Sequence, residues 1–91
     1  AGRRRYAAIL AASMRRVARD PKAAMTRNRA ELLRGLRSYH IRYAQAAADL
    51  NVKRPVHVLF YRAVRPGLIE IVRVLHERME PSRHIEDVAE N

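Results

Sequence analysis

Four histidines, His40, His57, His76 and His84, are the side chains of this 91-residue sequence best suited to proton transfer or metal ligation, because imidazole titrates near neutral pH and is a common metal ligand. Their spacing does not favour a metal. No two stand four apart as a helical pair, no HExxH run occurs, and no Cys is present to complete a thiolate site. Spread over two expected strands, a strand end and the tail, they are expected to be surface or cross-strand histidines. Ser13, Ser38 and Ser82 are the serines, none in a G-x-S-x-G turn. Gly2, Gly35 and Gly67 are too few and too far apart for a phosphate-cradling loop. No cofactor and no metal is implied.

The densest group of chemically capable residues surrounds the last apolar run: Arg62, Arg73, His76, Glu77, Arg78, Arg83 and His84. Cleaving a phosphodiester through its adjacent 2′-hydroxyl needs a base for that hydroxyl, a cation for the developing charge and an acid for the leaving oxygen. His76 with Arg73 and Arg78 offers those three functions. The same spacing lets Glu70, Glu77 and Glu80 pair with these arginines on a sheet surface, a common arrangement for opposite charges. A second group, Arg3, Arg4, Arg5, Arg15, Arg16 and Arg19, falls on one expected helix, either as a solvated face or as a ridge for phosphates or carboxylates.

Charge weighs toward the ridge. The chain carries 19 Lys and Arg against 9 Asp and Glu, a formal +10. Residues 1–42 hold 12 basic and 2 acidic residues, whereas residues 43–91 hold 7 of each, so the whole excess lies in the first half. Unrelieved like charge costs self-repulsion and suits an acidic partner. Only Lys22 and Lys53 are lysines, a bias that favours planar contacts to carboxylate or phosphate and that a GC-rich genome would also produce. No apolar run approaches the roughly 20 residues that span a bilayer, and no signal-peptide pattern opens the sequence. The absence of Trp and the single Phe argue against a single-strand binder built on many stacked aromatics.

The elements that must position these residues follow from periodicity. Tyr6, Ile9, Leu10, Ser13, Met14 and Val17 recur on one helical face and predict a helix over 3–19, ended by Pro21. A short second helix is expected over 26–34, capped by Thr26 and stopped by Gly35. From Leu36 the period becomes two, with Tyr39, Ile41 and Tyr43 opposite Ser38, His40 and Arg42, which predicts a strand. Residues 44–54 are a polar, alanine-rich connection in which 46–50 can form a helical turn. A strand over 56–63 places Val56, Val58 and Phe60 on one face and Leu59 and Tyr61 on the other. Arg65-Pro66-Gly67 is a turn, and a strand over 68–75 sets Ile69, Ile71 and Leu75 against Leu68, Val72 and Val74. The expected architecture is a single α+β domain over 1–91: a helical half 1–35, a sheet half 36–80 and a polar tail 81–91 of short helix or disorder. About three antiparallel strands are covered on one face by N-terminal helices.

The hairpin carries a family resemblance. Gly35-Leu36-Arg37-Ser38-Tyr39, then Val56-His57-Val58-Leu59-Phe60-Tyr61-Arg62, then the run from Ile69 to Met79 (IEIVRVLHERM) together resemble the ParE branch of the RelE/ParE toxins of bacterial type II toxin–antitoxin pairs. The stretch from Tyr6 to Pro21, ending Ala18-Arg19-Asp20-Pro21, is similar to that family's second helix. The usual first strand and first helix have no counterpart in the sequence, and the 44–54 connection is longer than is usual. The resemblance implies a small cytoplasmic α+β toxin that poisons DNA gyrase and is silenced by a ParD-like antitoxin. It implies no enzymatic activity, no membrane association and no sequence-specific nucleic-acid binding. Arg5, Tyr6, Ile9, Arg15, Arg16 and Arg19 are the expected antitoxin-binding residues, and Arg62, Arg73, Arg78 and Arg83 the expected target-binding residues. The alternative is a ribosome-dependent mRNA endonuclease of RelE type using His76, Arg73 and Arg78. That branch often relies on a late Tyr, and here no Tyr follows Tyr61.

Overall fold

The computed structural model describes residues 2–45 and 54–89, so the helical turn expected at 46–50 lies outside the described residues. Helix α1, Gly2–Arg19, closely matches the expected span. It buries Ile9, Ser13 and Val17, one stripe at a spacing of four. Arg16 and Arg19 in its last turn complement the negative end of the helix dipole.

Strands β1 (Thr26–Asn28), β2 (Leu36–His40), β3 (His57–Arg65) and β4 (Leu68–His76) form an antiparallel sheet of four strands in sequence order. A short 3-10 turn, Ile41–Ala44, follows β2, and helix α2, Pro81–Ala89, follows β4. The α+β class therefore stands, with one strand more than expected.

Four local expectations are corrected. The helix expected over 26–34 is a strand followed by turns. Thr26, Arg27 and Asn28 pair with Tyr39, Ser38 and Arg37, and the Asn28 side chain accepts the Ala30 N–H at 2.8 Å, which starts a turn instead of a helix. A nine-residue helix is marginal by itself, and pairing with the open edge of β2 wins. Gly35, expected as a helix stop, serves the same return at φ +79°, a conformation that glycine adopts without steric cost.

The strand expected to run through Tyr43 stops at His40, whose Nδ1 accepts the Arg42 N–H at 3.1 Å and caps the 3-10 turn. Ile41 and Ala44, three apart, face the core, while Tyr43 is 39% exposed. In β4 a bulge breaks the alternation: Phe60 pairs with Arg73 and Tyr61 with Ile71, so Val72 has no partner. Leu75 consequently joins Val72 on one face, away from Ile69 and Ile71.

Finally, the sheet is covered on both faces. Ile9 and Val17 of α1 pack with Tyr39, Ile41, Leu59 and Tyr61 on one side. On the other, Ile85 of α2, with Leu32 and Leu33 of the turn region, closes over Leu36, Phe60, Val72 and Leu75. The tail is thus a helix with a fully buried anchor. Leu59 is fully buried, so Leu59→Ala is expected to lower the unfolding free energy by about 2–5 kcal/mol. Val64→Ala, at a site 60% exposed, is expected to change it by about 0.5 kcal/mol or less; urea melts of both variants check the contrast.

Candidate partner surfaces and the histidine end of the sheet

Polar contacts at both ends fasten α1 to the sheet. Near its start the Tyr6 hydroxyl accepts the Val56 N–H at 3.1 Å and meets His57 Nδ1 at 2.5 Å. Past its end the Pro21 carbonyl accepts from the Tyr61 hydroxyl at 2.6 Å and from Arg37 Nε at 3.0 Å. Of the residues expected to bind an antitoxin, Arg5, Arg15, Arg16 and Arg19 are exposed. Tyr6 is half-buried in its bracket. Ile9 is corrected: at 0% exposure it belongs to the chain's own core and presents nothing to a partner. Arg16 reaches the buried Tyr39 phenol, whose pKa burial pushes up and the guanidinium pulls back. Ion pairs among the described residues are Arg29–Glu31, His40–Glu77 and Arg62–Glu70, none of them on α1. Among the described residues no carboxylate forms an ion pair with Arg3, Arg4, Arg5, Arg15 or Arg19 of this helix.

The four arginines expected to meet a target differ in their contacts. Arg62 is held by its cross-strand partner Glu70, with Nε and Nη2 at 2.9 and 2.5 Å from the same carboxylate oxygen, so sheet-surface pairing describes this residue. Arg73 donates to the Val72 carbonyl at 2.9 Å. Arg78 and Arg83 are exposed, after β4 and on α2. His76 Nδ1 accepts the backbone N–H of Arg78 at 3.1 Å, but no hydrogen bond links either the Arg73 or the Arg78 guanidinium to the imidazole.

Three histidines that look scattered in the sequence meet at one end of the sheet. His57 and His76 are register partners with ring centroids 5.9 Å apart, the cross-strand arrangement expected of them. His40, at the end of the neighbouring strand, holds Glu77 at 3.0 Å. Tyr6 and His57 Nδ1 share a hydrogen bond whose donor is set by the imidazole tautomer. Burial, with the fields of His76 and His40, lowers the His57 pKa. The hydrogen bond from His40 lowers that of Glu77. Among the described residues no group of three His, Cys, Asp or Glu is arranged to hold a metal. His84 is half-buried on α2.

Sequence reasoning missed a pocket of about 390 Å³ on the sheet face away from α1, lined by Arg27, Ser38, His40, Arg42, Tyr43 and Phe60 among others. Its row Arg27–Ser38–Phe60–Arg73 crosses all four strands. No sequence signal points to it, because Arg27 enters the row only through a strand whose residues resemble a capped helix.

Comparison with known proteins places the chain in a class and a family. The family described as ParE toxin of type II toxin–antitoxin system, parDE, matches residues 1–81, and the chain belongs to it. It is similar to proteins called Toxin ParE1 from two strains of Mycobacterium tuberculosis, CDC 1551 / Oshkosh and ATCC 25618 / H37Rv. Each is 52% identical over 29 residues, 32% of this chain and 30% of that protein. The match thus spans about a third of the length of these curated relatives. No solved structure matches the chain. Among the described residues no helix is long and apolar enough to cross a membrane.

The depressed His57 pKa has a defined sign. As pH falls from about 7 through the ordinary histidine value near 6.5, the unfolded chain takes up a proton before the folded one does, so stability declines. Glu77, also depressed, keeps its contribution above the usual carboxylate range and loses it only as pH falls below that range. Urea unfolding between about pH 7 and 5.5 is expected to show the histidine loss, and His57→Gln to flatten it. Tyr6→Phe is expected to cost about 1–2 kcal/mol at pH 7 by unpairing the Val56 N–H.

Proposed function

We propose that the chain acts as a toxin on DNA gyrase in the cytoplasm, as a binding protein instead of a nuclease, and is neutralised by a ParD-like antitoxin. The observation that carries the antitoxin half is the exposed ridge of Arg4, Arg5, Arg15 and Arg19, on a helix that makes no ion pair among the described residues. An amphipathic segment with acidic and apolar residues suits it by charge complementarity. Family membership over residues 1–81 supports the gyrase half. The His76 environment supports a non-catalytic reading: its Nδ1 is occupied by a backbone N–H, and no guanidinium is hydrogen-bonded to the ring to share a scissile phosphate.

Two measurements test this reading. Arg15→Glu combined with Arg19→Glu is expected to slow antitoxin association about tenfold at low salt and to flatten its salt dependence. Arg16 is left in place because it also contacts Tyr39. An unchanged association rate would remove the ridge from the interface. Purified toxin with gyrase and supercoiled plasmid is expected to accumulate cleaved DNA complexes, and His76→Gln to leave this unchanged. Site-specific mRNA cuts by toxin on translating ribosomes, lost by roughly 10²–10⁴-fold in His76→Gln, would replace the gyrase reading with the nuclease one.

A further inference from the structure

The pocket opposite α1 contains a polar group that the chain itself does not satisfy. Ser38 is 3% exposed, yet its hydroxyl makes no hydrogen bond with any described residue. Ser38 lines the pocket, and among the described residues no fully enclosed side-chain polar atom lacks a partner. A ligand acceptor seated in the pocket would pair this hydroxyl in place of water.

The surroundings define what that acceptor belongs to. Arg27 is the register partner of Ser38 and therefore shares its face. It is exposed and makes no hydrogen bond or ion pair among the described residues, although its charge acts through space on Glu31. The carboxylate in the lining, Glu77, is already held by His40 at 3.0 Å, and the neighbouring Glu31 by Arg29 at 2.9 Å. Phe60 and Val58 supply an apolar floor. The Tyr43 ring is 39% exposed, with the Arg42 guanidinium 4.8 Å from its centroid. A free cation, an unpaired hydroxyl and an accessible ring thus face one space of about 390 Å³, within the range of small-ligand sites.

We propose that this pocket binds a nucleoside monophosphate, either free or as the phosphorylated end of a strand. The phosphate sits on Arg27 and the Ser38 hydroxyl, and the base lies against Tyr43. A carboxylate side chain would satisfy the cation but leave the ring without a stacking partner. A phosphate joined to a flat base uses both. One such unit needs one aromatic, which is compatible with the scarcity of aromatics in the chain. The site shares no residue with the α1 ridge and does not depend on the gyrase reading.

Titration of the full chain with the four nucleoside 5′-monophosphates, followed by amide chemical shifts and calorimetry, tests the proposal. Shifts are expected at Arg27, Ser38 and Phe60, with unphosphorylated nucleoside and inorganic phosphate each binding at least about tenfold more weakly. Arg27→Gln and Tyr43→Ala are each expected to weaken binding about tenfold. Ser38→Ala is expected to weaken it about fivefold while leaving the thermal midpoint near that of the parent, because the hydroxyl holds nothing in the fold. A 5′-phosphorylated tetranucleotide binding more tightly than the monophosphates assigns a strand end, and equal binding assigns a free nucleotide. The proposal is overturned if inorganic phosphate binds as tightly as the nucleotides, or if Arg4→Gln and Arg15→Gln on α1 weaken binding as much as Arg27→Gln. It is equally overturned if the shifted amides lie elsewhere, or if an acidic peptide binds the pocket and nucleotides do not.

Discussion

Strand β3 must be buried on both faces at once, and the other elements are arranged to satisfy that demand. Leu59, Phe60 and Tyr61 are consecutive and all nearly inaccessible, although neighbouring side chains on a strand point to opposite sides. One cover is not enough. Helix α1 closes over Leu59 and Tyr61, while α2 and the 29–35 turns close over Phe60. The bulge at Val72 belongs to the same solution. It directs Ile69 and Ile71 toward α1 but Val72 and Leu75 toward α2, so a single strand supplies both layers.

Covering β3 also determines which charges are free. The inward stripe of α1 is apolar but for Ser13, whose hydroxyl donates to the Ile9 carbonyl at 2.8 Å within the helix. Its arginines lie outside that stripe, and of them Arg16 turns back to the Tyr39 phenol. The helix carries no acidic residue, and the carboxylates that form ion pairs lie elsewhere in the structure. Charge concentrated in the first half of the sequence thus becomes charge concentrated on one helix surface. The polar brackets at Tyr6 and Pro21 hold that helix on the sheet without consuming its arginines.

The two faces of the sheet consequently differ in chemistry. Toward α1 the sheet ends in the His57–His76 pair under Tyr6. Toward α2, Ser38, Arg27 and the neighbouring Arg42 line an open pocket. The chain thereby carries two separate cationic surfaces, one on a helix and one in a concavity.

Periodicity alone determined α1, the β3–β4 hairpin, the turn at Pro66-Gly67 and the α+β class, since each rests on local spacing and turn chemistry. The hairpin residues also carried the family resemblance, and the charge tally placed the basic half. Tertiary structure decided the rest. Thr26–Asn28 is a strand because β2 offers an edge, which no propensity within 26–34 reveals. Ile9 lies in the core because α1 sits directly on the sheet. The convergence of His40, His57 and His76 and the row through Arg27, Ser38, Phe60 and Arg73 depend on strand register. Register is a relation between distant segments, and a one-residue slip or bulge reverses a face. The chemistry of the helix was therefore legible in the sequence, whereas that of the sheet existed only after the strands had paired.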